Sequence, residues 1–305
     1  MNQAFTRAEI RVGWIAMALI TTITALGAAA AWQGTDALPQ LNAALACAFL
    51  FWLLHAMRRE RFIAWRGATL FAGLWLVFPL FKAIRQFWIT RVFDTELLSI
   101  DRALWGGLSL PERAMGLENF MLSEIVSFGY AQFYLVMLLP VCWFAWKRQT
   151  PESRRFFFGL TIIYIFGFGG YLLVPAGGPF IAFPALFPHP PEGGAITRTL
   201  ASVVTQGVTG MDVFPSLHCG ASLYVFGFFA SGAALRKNRA YLLIALLLAA
   251  ICAPLILATV YLRYHYGIDL LAGTTLAALT LLFLHRPRFG KREESFRRVH
   301  VISST

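Results

Sequence analysis

The sequence predicts an all-α protein, a polytopic membrane helix bundle with about eight transmembrane helices. Only 13% of the 305 residues are charged, whereas a soluble domain carries about 25%. Hydrophobic residues make up 58% of the chain, and the mean hydropathy is +0.64. Apolar runs of roughly 17–25 residues, the length that a helix needs to cross a bilayer, recur along the chain. These observations favour an integral membrane protein over a soluble globular domain.

The predicted spans form an N-terminal group of three and a C-terminal group of five. They lie at about 12–32, 41–57, 67–89, 125–146, 156–174, 214–235, 241–262 and 268–285. The first run follows Arg7 and Arg11 as in a signal peptide, but it is long for a signal peptide, so we interpret it as a retained helix. We divide the chain into the N-terminal helices at 1–89, a core at 90–285 that holds the last five spans, and a basic tail at 286–305.

Two long segments lie outside the predicted spans, on the same side of the bundle. The segment 90–124 mixes Leu, Trp and Phe with charged residues, and we expect it to form short amphipathic helices along the membrane interface. The segment 175–213 is rich in Pro and Gly and is predicted to be an irregular loop.

The net charge of +11 is distributed unevenly between the two sides of the predicted bundle. Nineteen of the 26 Lys and Arg residues lie on one side: Arg7, Arg11, Arg58, Arg59, Arg61, Arg66, Lys147, Arg148, Arg154, Arg155, Arg236, Lys237, Arg239, Arg286, Arg288, Lys291, Arg292, Arg297 and Arg298. By the positive-inside rule this side, with both termini, is cytoplasmic, and 90–124 and 175–213 are extracytoplasmic. We therefore interpret the charge as a topology signal and a contact with anionic membrane lipids, not as a nucleic-acid surface. The membrane would be a bacterial inner membrane or an endomembrane.

Two histidines flank a pair of predicted spans. His218 stands near the start of 214–235, and His265 follows 241–262. Two crossings return the chain to the side that it left, so we predict that both histidines lie at one membrane surface. Asp269 follows His265 by four residues, which puts it one turn away on the same helix face. Two histidines with an orienting carboxylate suit attack on a phosphorus or an acyl carbon.

The neighbours of these residues favour a functional role over a structural one. Pro215 and Ser216 begin the sixth span, and the free N–H groups of a first helical turn, with the Ser216 hydroxyl, form an anion site. Asp269 within an apolar helix is costly unless it has a partner and a role. Asp212 either orients His218, binds a substrate hydroxyl, or caps the helix.

Three motifs in the C-terminal part resemble those of a known family. Pro215-Ser216-Leu217-His218 and His265-x-x-x-Asp269-x-x-Ala272-Gly273 resemble the second and third signature motifs of the type 2 phosphatidic acid phosphatase superfamily. Tyr171-x-x-x-Pro175 resembles the form of the first motif found in its inositol phosphorylceramide synthase-like branch. Sphingomyelin synthases share the arrangement of His and His-x-x-x-Asp. The resemblance covers the last five spans well, the segment 90–124 loosely, and the first three spans not at all.

The resemblance implies an enzyme, a lipid phosphatase or phosphotransferase. Its substrate would be a lipid phosphate, a pyrophosphate or a phospholipid, sphingolipids included. His265 would be the nucleophile that takes the phosphoryl group, Asp269 would hold its ring, and His218 would protonate the leaving oxygen and then activate the acceptor. That acceptor is water or a hydroxyl of a second lipid or polyol. No metal and no other cofactor is implied, and Cys47, Cys142, Cys219 and Cys252 show no zinc-type spacing and no disulfide framework.

The chain departs from the phosphatase branch in its basic residues. Relatives place an Arg six residues before the nucleophile, where this chain has Thr259, and they carry Lys and Arg in the first motif, where it has none. Substitute contacts to the substrate or its phosphate are predicted from Ser216, Arg263, Asp212, Tyr171, Gly177, Gly178 and Arg198. Gly177 and Gly178 would offer backbone N–H groups as a nest. For Arg263, the alternative is a side chain that extends to lipid phosphates at the surface.

Two interpretations from other classes stay open at this point. One is a proton-coupled lipid transporter or flippase, in which Asp269 and the histidines relay protons. Such a protein needs polar groups spread across the membrane midplane, whereas this chain concentrates them at one face. The other is a catalytically inactive scaffold.

Overall fold

The structure, a computed structural model, describes residues 7–57, 65–147, 150–207, 209–236 and 239–285. This part of the chain is 80% helical and contains no strands, which confirms the predicted all-α fold. Several predicted cytoplasmic features lie outside the described residues, namely Arg58, Arg59, Arg61, Arg148, Lys237 and the tail at 286–305.

Fourteen helices follow one another along the described residues. They are α1 (Arg7–Gln33), α2 (Ala37–Met57), α3 (Arg66–Val77), α4 (Leu80–Trp88), α5 (Asp94–Leu104), α6 (Leu110–Met115), α7 (Phe120–Ala131), α8 (Phe133–Trp146), α9 (Pro151–Leu173), α10 (Pro179–Ala182), α11 (Ala195–Gly207), α12 (Leu217–Arg236), α13 (Arg239–Tyr261) and α14 (Gly267–Leu284).

The long apolar helices make this a multi-pass membrane protein. Six stretches of the described chain are long and apolar enough to cross a membrane, namely α1, α2, α7 continued by α8, α9, α13 and α14. The pair α3 and α4, bent by 45°, makes a seventh if it is one span. The bend falls at Pro79, which has no N–H to continue the helical hydrogen bonds. The predicted count of eight spans is therefore not confirmed.

Helix α12 corresponds to the predicted sixth span and lies in the interior of the bundle. Helices α9, α13 and α14 pack around it, and its residues Ala221, Tyr224 and Val225 have no exposed surface. Its 20 residues extend about 30 Å at the rise of an α-helix. Because α13 runs back along α12, the start of α12 and the end of α13 lie at the same end of the bundle. We call this end, formed by residues 209–218 and 262–269, the histidine face.

The N-terminal helices share one hydrophobic core with the helices that carry the histidines. This core joins α1 to α4 with α8, α9 and α12 to α14. In it, Phe81 of α4 packs edge-on against Phe168 and Tyr171 of α9, with ring centroids 5.1 Å and 5.6 Å apart. The division of the chain at residues 89 and 90 stays a prediction.

The two long segments at the histidine face contain short helices. The segment 90–124 forms α5 and α6 and begins α7, and α6 starts with a capping box between Ser109 and Glu112. The segment 175–213 was predicted to be irregular throughout, but it contains α10 and α11. Glu124 of α7 accepts hydrogen bonds from the N–H groups of Ile196 (3.2 Å) and Thr197 (2.8 Å) at the start of α11. A carboxylate from another helix thus supplies the cap, so local composition did not predict this helix.

Candidate active site

His218 and His265 contact each other at the histidine face. Nδ1 of His218 lies 3.4 Å from Nε2 of His265, and the two rings meet edge to face with centroids 5.6 Å apart. His218 is the second residue of α12, and His265 lies between α13 and α14. The contact therefore joins residues 47 positions apart in the sequence.

Asp269 lies on the other side of the His265 ring. Its Oδ2 is 3.4 Å from Nδ1 of His265 and accepts a hydrogen bond of 2.8 Å from the N–H of Tyr266. Nδ1 has no hydrogen-bond partner among the described contacts, and Asp269 is the carboxylate beside it. A neutral ring with its proton on Nδ1 would keep a lone pair on Nε2. Burial lowers the pKa of His265 to about 4, although the charge of Asp212 opposes this shift. At neutral pH His265 is therefore uncharged, with its free nitrogen directed at His218.

Backbone contacts between α12 and α14 bring the two histidines together. The N–H of Ser216 donates to the carbonyl of Asp269 at 3.1 Å, and the hydroxyl of Ser216 accepts from the N–H of Cys219 at 3.2 Å. Gly273 permits this approach, because a Cβ there would lie 2.4 Å from the carbonyl oxygen of Ser216. Ser216 is fully buried. Here it caps α12 and ties it to α14, in place of the open phosphate contact that the sequence predicted.

Asp212 lies in the loop just before α12. Its Oδ1 accepts a hydrogen bond of 2.6 Å from the hydroxyl of Thr209. Burial raises its pKa, and its charge acts on His265. The three roles predicted for Asp212 stay predictions, and its influence on the pKa of His265 is a further effect that the sequence did not predict.

Tyr171 is buried in the core next to the start of α12. Its hydroxyl lies near the backbone of Leu217 at the start of that helix. Its ring packs against Phe81 and Phe168. These contacts support the helix that carries His218, and they leave no surface of Tyr171 for the predicted contact to substrate.

Gly177 and Gly178 do form a nest, but it binds a carboxylate of the chain itself. The N–H of Gly177 lies 3.1 Å and 3.0 Å from the two oxygens of Asp94, and the N–H of Gly178 donates to Oδ1 at 2.9 Å. The predicted phosphate nest is therefore occupied by Asp94, which the sequence did not single out.

Arg263 is buried and paired, so the interpretation as a side chain that extends to lipid phosphates is wrong. It is 1% exposed, forms an ion pair with Glu118, and donates to the backbone carbonyl of His189. Burial lowers its pKa. Arg198 is exposed on α11 and donates to the carbonyl of Gly193 at 3.0 Å. Neither guanidinium hydrogen-bonds His218 or His265 among the described contacts.

Aromatic rings enclose His218, and sequence reasoning missed them. The ring centroid of Phe133 lies 4.4 Å from that of His218, and the centroid of Tyr130 lies 4.8 Å from it. Tyr264 packs edge-on against Tyr130 at 5.3 Å. Tyr130 and Phe133 belong to a long apolar run in which no spacing separates them from lipid-facing residues. Together these rings exclude water from one side of His218.

The described residues contain no group of three or more His, Cys, Asp or Glu side chains arranged to hold a metal ion. Asp94 and Asp212 instead accept hydrogen bonds from protein donors.

A comparison with protein families identifies the class of this chain. Residues 95–283, more than half of the sequence, match the PAP2 superfamily, and the chain belongs to that superfamily. Its members are phosphatases, generally metal-independent, so membership indicates a phosphatase-type lipid enzyme that acts on phosphorylated lipids. No curated protein and no solved structure matches the chain. The predicted superfamily is confirmed, and the inositol phosphorylceramide synthase-like branch is not.

Proposed function

We propose that this protein is a metal-independent lipid phosphatase or phosphotransferase that works through a phosphohistidine on His265. The observation that carries the proposal is the row of groups His218, His265 and Asp269, joined by two contacts of 3.4 Å. One ring nitrogen of His265 faces a carboxylate and the other faces a second histidine. This arrangement makes Nε2 the nucleophilic atom and places an acid and base beside it.

The first half-reaction breaks the bond between phosphorus and the leaving oxygen. Nε2 of His265 attacks phosphorus, the phosphorus–oxygen bond breaks, and protonated His218 gives its proton to the departing oxygen. Asp269 stabilises the positive charge that develops on the His265 ring. The 3.4 Å gap between the histidine nitrogens is too narrow for a phosphoryl group. We therefore expect substrate to separate the two rings as it binds.

The second half-reaction returns the enzyme to its starting state. Neutral His218 takes a proton from the acceptor, the acceptor oxygen attacks phosphorus, and the bond from phosphorus to Nε2 breaks. With water as acceptor the product is a phosphate, and the enzyme is a phosphatase. With a hydroxyl of a second lipid or a polyol, the phosphate-bearing group is transferred, as the Tyr171-x-x-x-Pro175 motif and its inositol phosphorylceramide synthase-like relatives suggest.

The negative charge of the substrate needs a partner other than the nest at Gly177 and Gly178, which holds Asp94. Arg263 is the basic residue nearest to His265 in sequence, and it pairs with Glu118. We propose that a substrate phosphate replaces this carboxylate, since Arg binds both anions with the same planar set of donors.

We further propose that the histidine face is extracytoplasmic and that both termini are cytoplasmic. Nineteen of the 26 Lys and Arg residues are predicted to lie at the other end of the bundle. Among the described ones, Arg7, Arg66, Lys147, Arg154, Arg155 and Arg239 are at or beside helix ends remote from the histidines. An excess of Lys and Arg marks the cytoplasmic side of a membrane protein. The enzyme would then act on lipids of the outer leaflet of a bacterial inner membrane or the lumenal leaflet of an endomembrane.

The test is turnover by purified protein in detergent micelles. Lipid phosphates, lipid pyrophosphates, glycerophospholipids and sphingolipids are incubated with it, with and without a polyol or lipid acceptor, and products are identified by mass spectrometry. We expect a dephosphorylated or transferred product in EDTA, and none from His265→Ala. Turnover that EDTA abolishes and magnesium restores, or equal turnover by His265→Ala, would contradict the proposal.

A further inference from the structure

Two buried carboxylates of α5 accept hydrogen bonds from the short segment between His265 and Asp269. Asp94 and Asp101 are seven residues apart, so they lie on one face of the helix, two turns from each other. Asp94 is 4% exposed and Asp101 is fully buried. Among the described contacts neither pairs with a basic side chain, and both are instead surrounded by N–H and O–H donors.

Asp101 binds the first turn of α14 from the side. Its Oδ1 accepts a hydrogen bond of 2.8 Å from the N–H of Ile268, and it also accepts from the indole N–H of Trp105 at 3.0 Å. Its Oδ2 accepts from the N–H of Leu110 at 3.1 Å. The N–H of Ile268 is one of those that an α-helix leaves without an internal partner. A carboxylate there satisfies it and interacts favourably with the helix dipole.

Gly267 allows this carboxylate to approach the backbone. A Cβ at Gly267 would lie 2.6 Å from Nε1 of Trp105 and 2.8 Å from Oδ1 of Asp101. Any side chain at this position would therefore push α5 away from α14. Asp101 and the lack of a side chain at Gly267 together define where α14 begins.

Asp94 holds the same segment from the other direction. Its Oδ1 accepts a hydrogen bond of 2.9 Å from the hydroxyl of Tyr266, the residue directly after His265. The same carboxylate binds the N–H groups of Gly177 and Gly178. Asp94 thus joins the loop after α9 to the residue that follows the proposed nucleophile.

We infer that Asp94 and Asp101 are positioning residues for phosphoryl transfer, which hold the segment from Tyr266 to Ile268 so that His265 faces Asp269 and His218. The inference rests on the proposed function. The contacts on either side of the His265 ring are already long, at 3.4 Å, so a small rotation of this segment would separate the ring from both partners. A displacement of about 1 Å in a catalytic group can cost about 10²-fold in rate.

The experiment compares three substitutions with a control on the same helix. Asp101→Asn and Asp94→Asn each weaken the set of contacts that the carboxylate makes, and Tyr266→Phe removes a single one, the hydrogen bond to Asp94. Glu96→Gln is the control, because Glu96 lies on α5, is partly exposed, and pairs with Arg91 at 2.6 Å outside this network. We expect kcat to fall on the order of 10²-fold in Asp101→Asn, with an unchanged KM, and Glu96→Gln to match the wild type.

A second readout separates this inference from the proposed function. Protein labelled with ¹⁵N-histidine reports the tautomer of His265 by NMR, whether or not a substrate is known. We expect the wild-type protein and Glu96→Gln to show one tautomer with the proton on Nδ1, and Asp101→Asn and Asp94→Asn to show a mixture. If no lipid phosphate is turned over, the proposed function fails and the NMR result still decides the inference.

Three results would overturn the positioning role. The first is a wild-type tautomer and kcat in both aspartate variants, and the second is an equal loss in Glu96→Gln. The third is a loss of activity that follows only the folded fraction measured by circular dichroism. If an aspartate variant fails to fold, Tyr266→Phe decides, because it removes a single hydroxyl: an altered His265 tautomer supports the role, and wild-type kcat with the wild-type tautomer refutes it.

Discussion

The backbone N–H of Ser216 donates to the carbonyl of Asp269 at 3.1 Å, which fastens the start of α12 to the first turn of α14. His218 lies two residues after the donor, and His265 lies four residues before the acceptor. This single contact therefore holds the two segments that carry the histidines close to each other.

Replacement of each histidine by Ala should affect a different step of the reaction. His265→Ala removes the nucleophile, so turnover should fall by several orders of magnitude, as it does when one member of a cooperating set is lost. His218→Ala removes the proton donor but not the attacking nitrogen. With a nitrophenyl phosphate, whose leaving group needs no proton, it should still form the phosphohistidine and then retain it. Intact-mass spectrometry should detect an acid-labile, base-stable phosphoryl adduct in His218→Ala and none in His265→Ala. An adduct on His265→Ala would contradict the assignment.

Asp269→Asn should show how much the orientation of the His265 ring contributes, because the ring stays in place and only its partner changes. The amide can direct its NH₂ group at Nδ1 of His265 and stabilise the wrong tautomer, so turnover should fall on the order of 10²–10⁴-fold. Asp36→Asn is a matched control, because Asp36 is an exposed carboxylate between α1 and α2. Steady-state kinetics with the same lipid substrate measure both. Equal losses in the two variants would argue against an orienting role for Asp269.

The pH dependence should reflect the buried environment of His265. Its pKa is lowered to about 4 by burial, whereas an exposed histidine titrates at about 6.5. The nucleophile must be neutral, so kcat/KM should rise with pH through a limb at about 4 and be independent of this group near pH 6.5. Asp212→Asn removes a charge that raises this pKa, so the limb should move to lower pH. A limb at the pH of an exposed histidine, or an upward shift in Asp212→Asn, would contradict this account.

Gly273→Ala should damage the site without touching a catalytic side chain. The added Cβ would lie 2.4 Å from the carbonyl oxygen of Ser216, so α12 and α14 must move apart. We expect a loss of kcat on the order of 10²-fold from the displaced histidines. Gly169→Ala is the control, since a Cβ at this helical glycine meets nothing within 4 Å. Kinetics and thermal unfolding of both variants provide the measurement, and full activity of Gly273→Ala would refute the close approach.

Labelling of single cysteines should locate the histidine face. In a background with the exposed Cys47 and Cys142 replaced by Ser, Glu192→Cys reports the histidine face, and Pro151→Cys reports the other end of the bundle. A membrane-impermeant maleimide added outside intact cells should label position 192 and leave position 151 unlabelled, because basic residues cluster near the latter. The reverse pattern would place the site in the cytoplasm. A cysteine at position 194 would be a poorer reporter of this face than one at position 192, since a side chain at Gly194 would meet Glu124.

Several features of this protein could be predicted from the sequence because they depend on residues close together in the chain. The low charge and the long apolar runs predicted a helical membrane protein, and the spacing of His265 and Asp269 predicted that the two lie close together. The predicted common helix face is wrong, because His265 precedes the first residue of α14. The return of the chain through α12 and α13 predicted that His218 and His265 lie at one surface, where they are in contact. The motifs around them predicted the superfamily to which the chain belongs.

The partners of individual polar groups were decided only by the tertiary structure. Arg263 and the N–H groups of Gly177 and Gly178 are chemically suited to phosphate, but Glu118 and Asp94 bind them. Tyr130 and Phe133 contact His218, and no sequence pattern distinguishes them from the other residues of their apolar run. A buried donor or acceptor must find a partner, and the partner can come from any segment that packs nearby. Composition and spacing determined the long apolar helices and the common surface of the two histidines, and the packing of α5 and α7 determined which polar groups already have a partner within the protein.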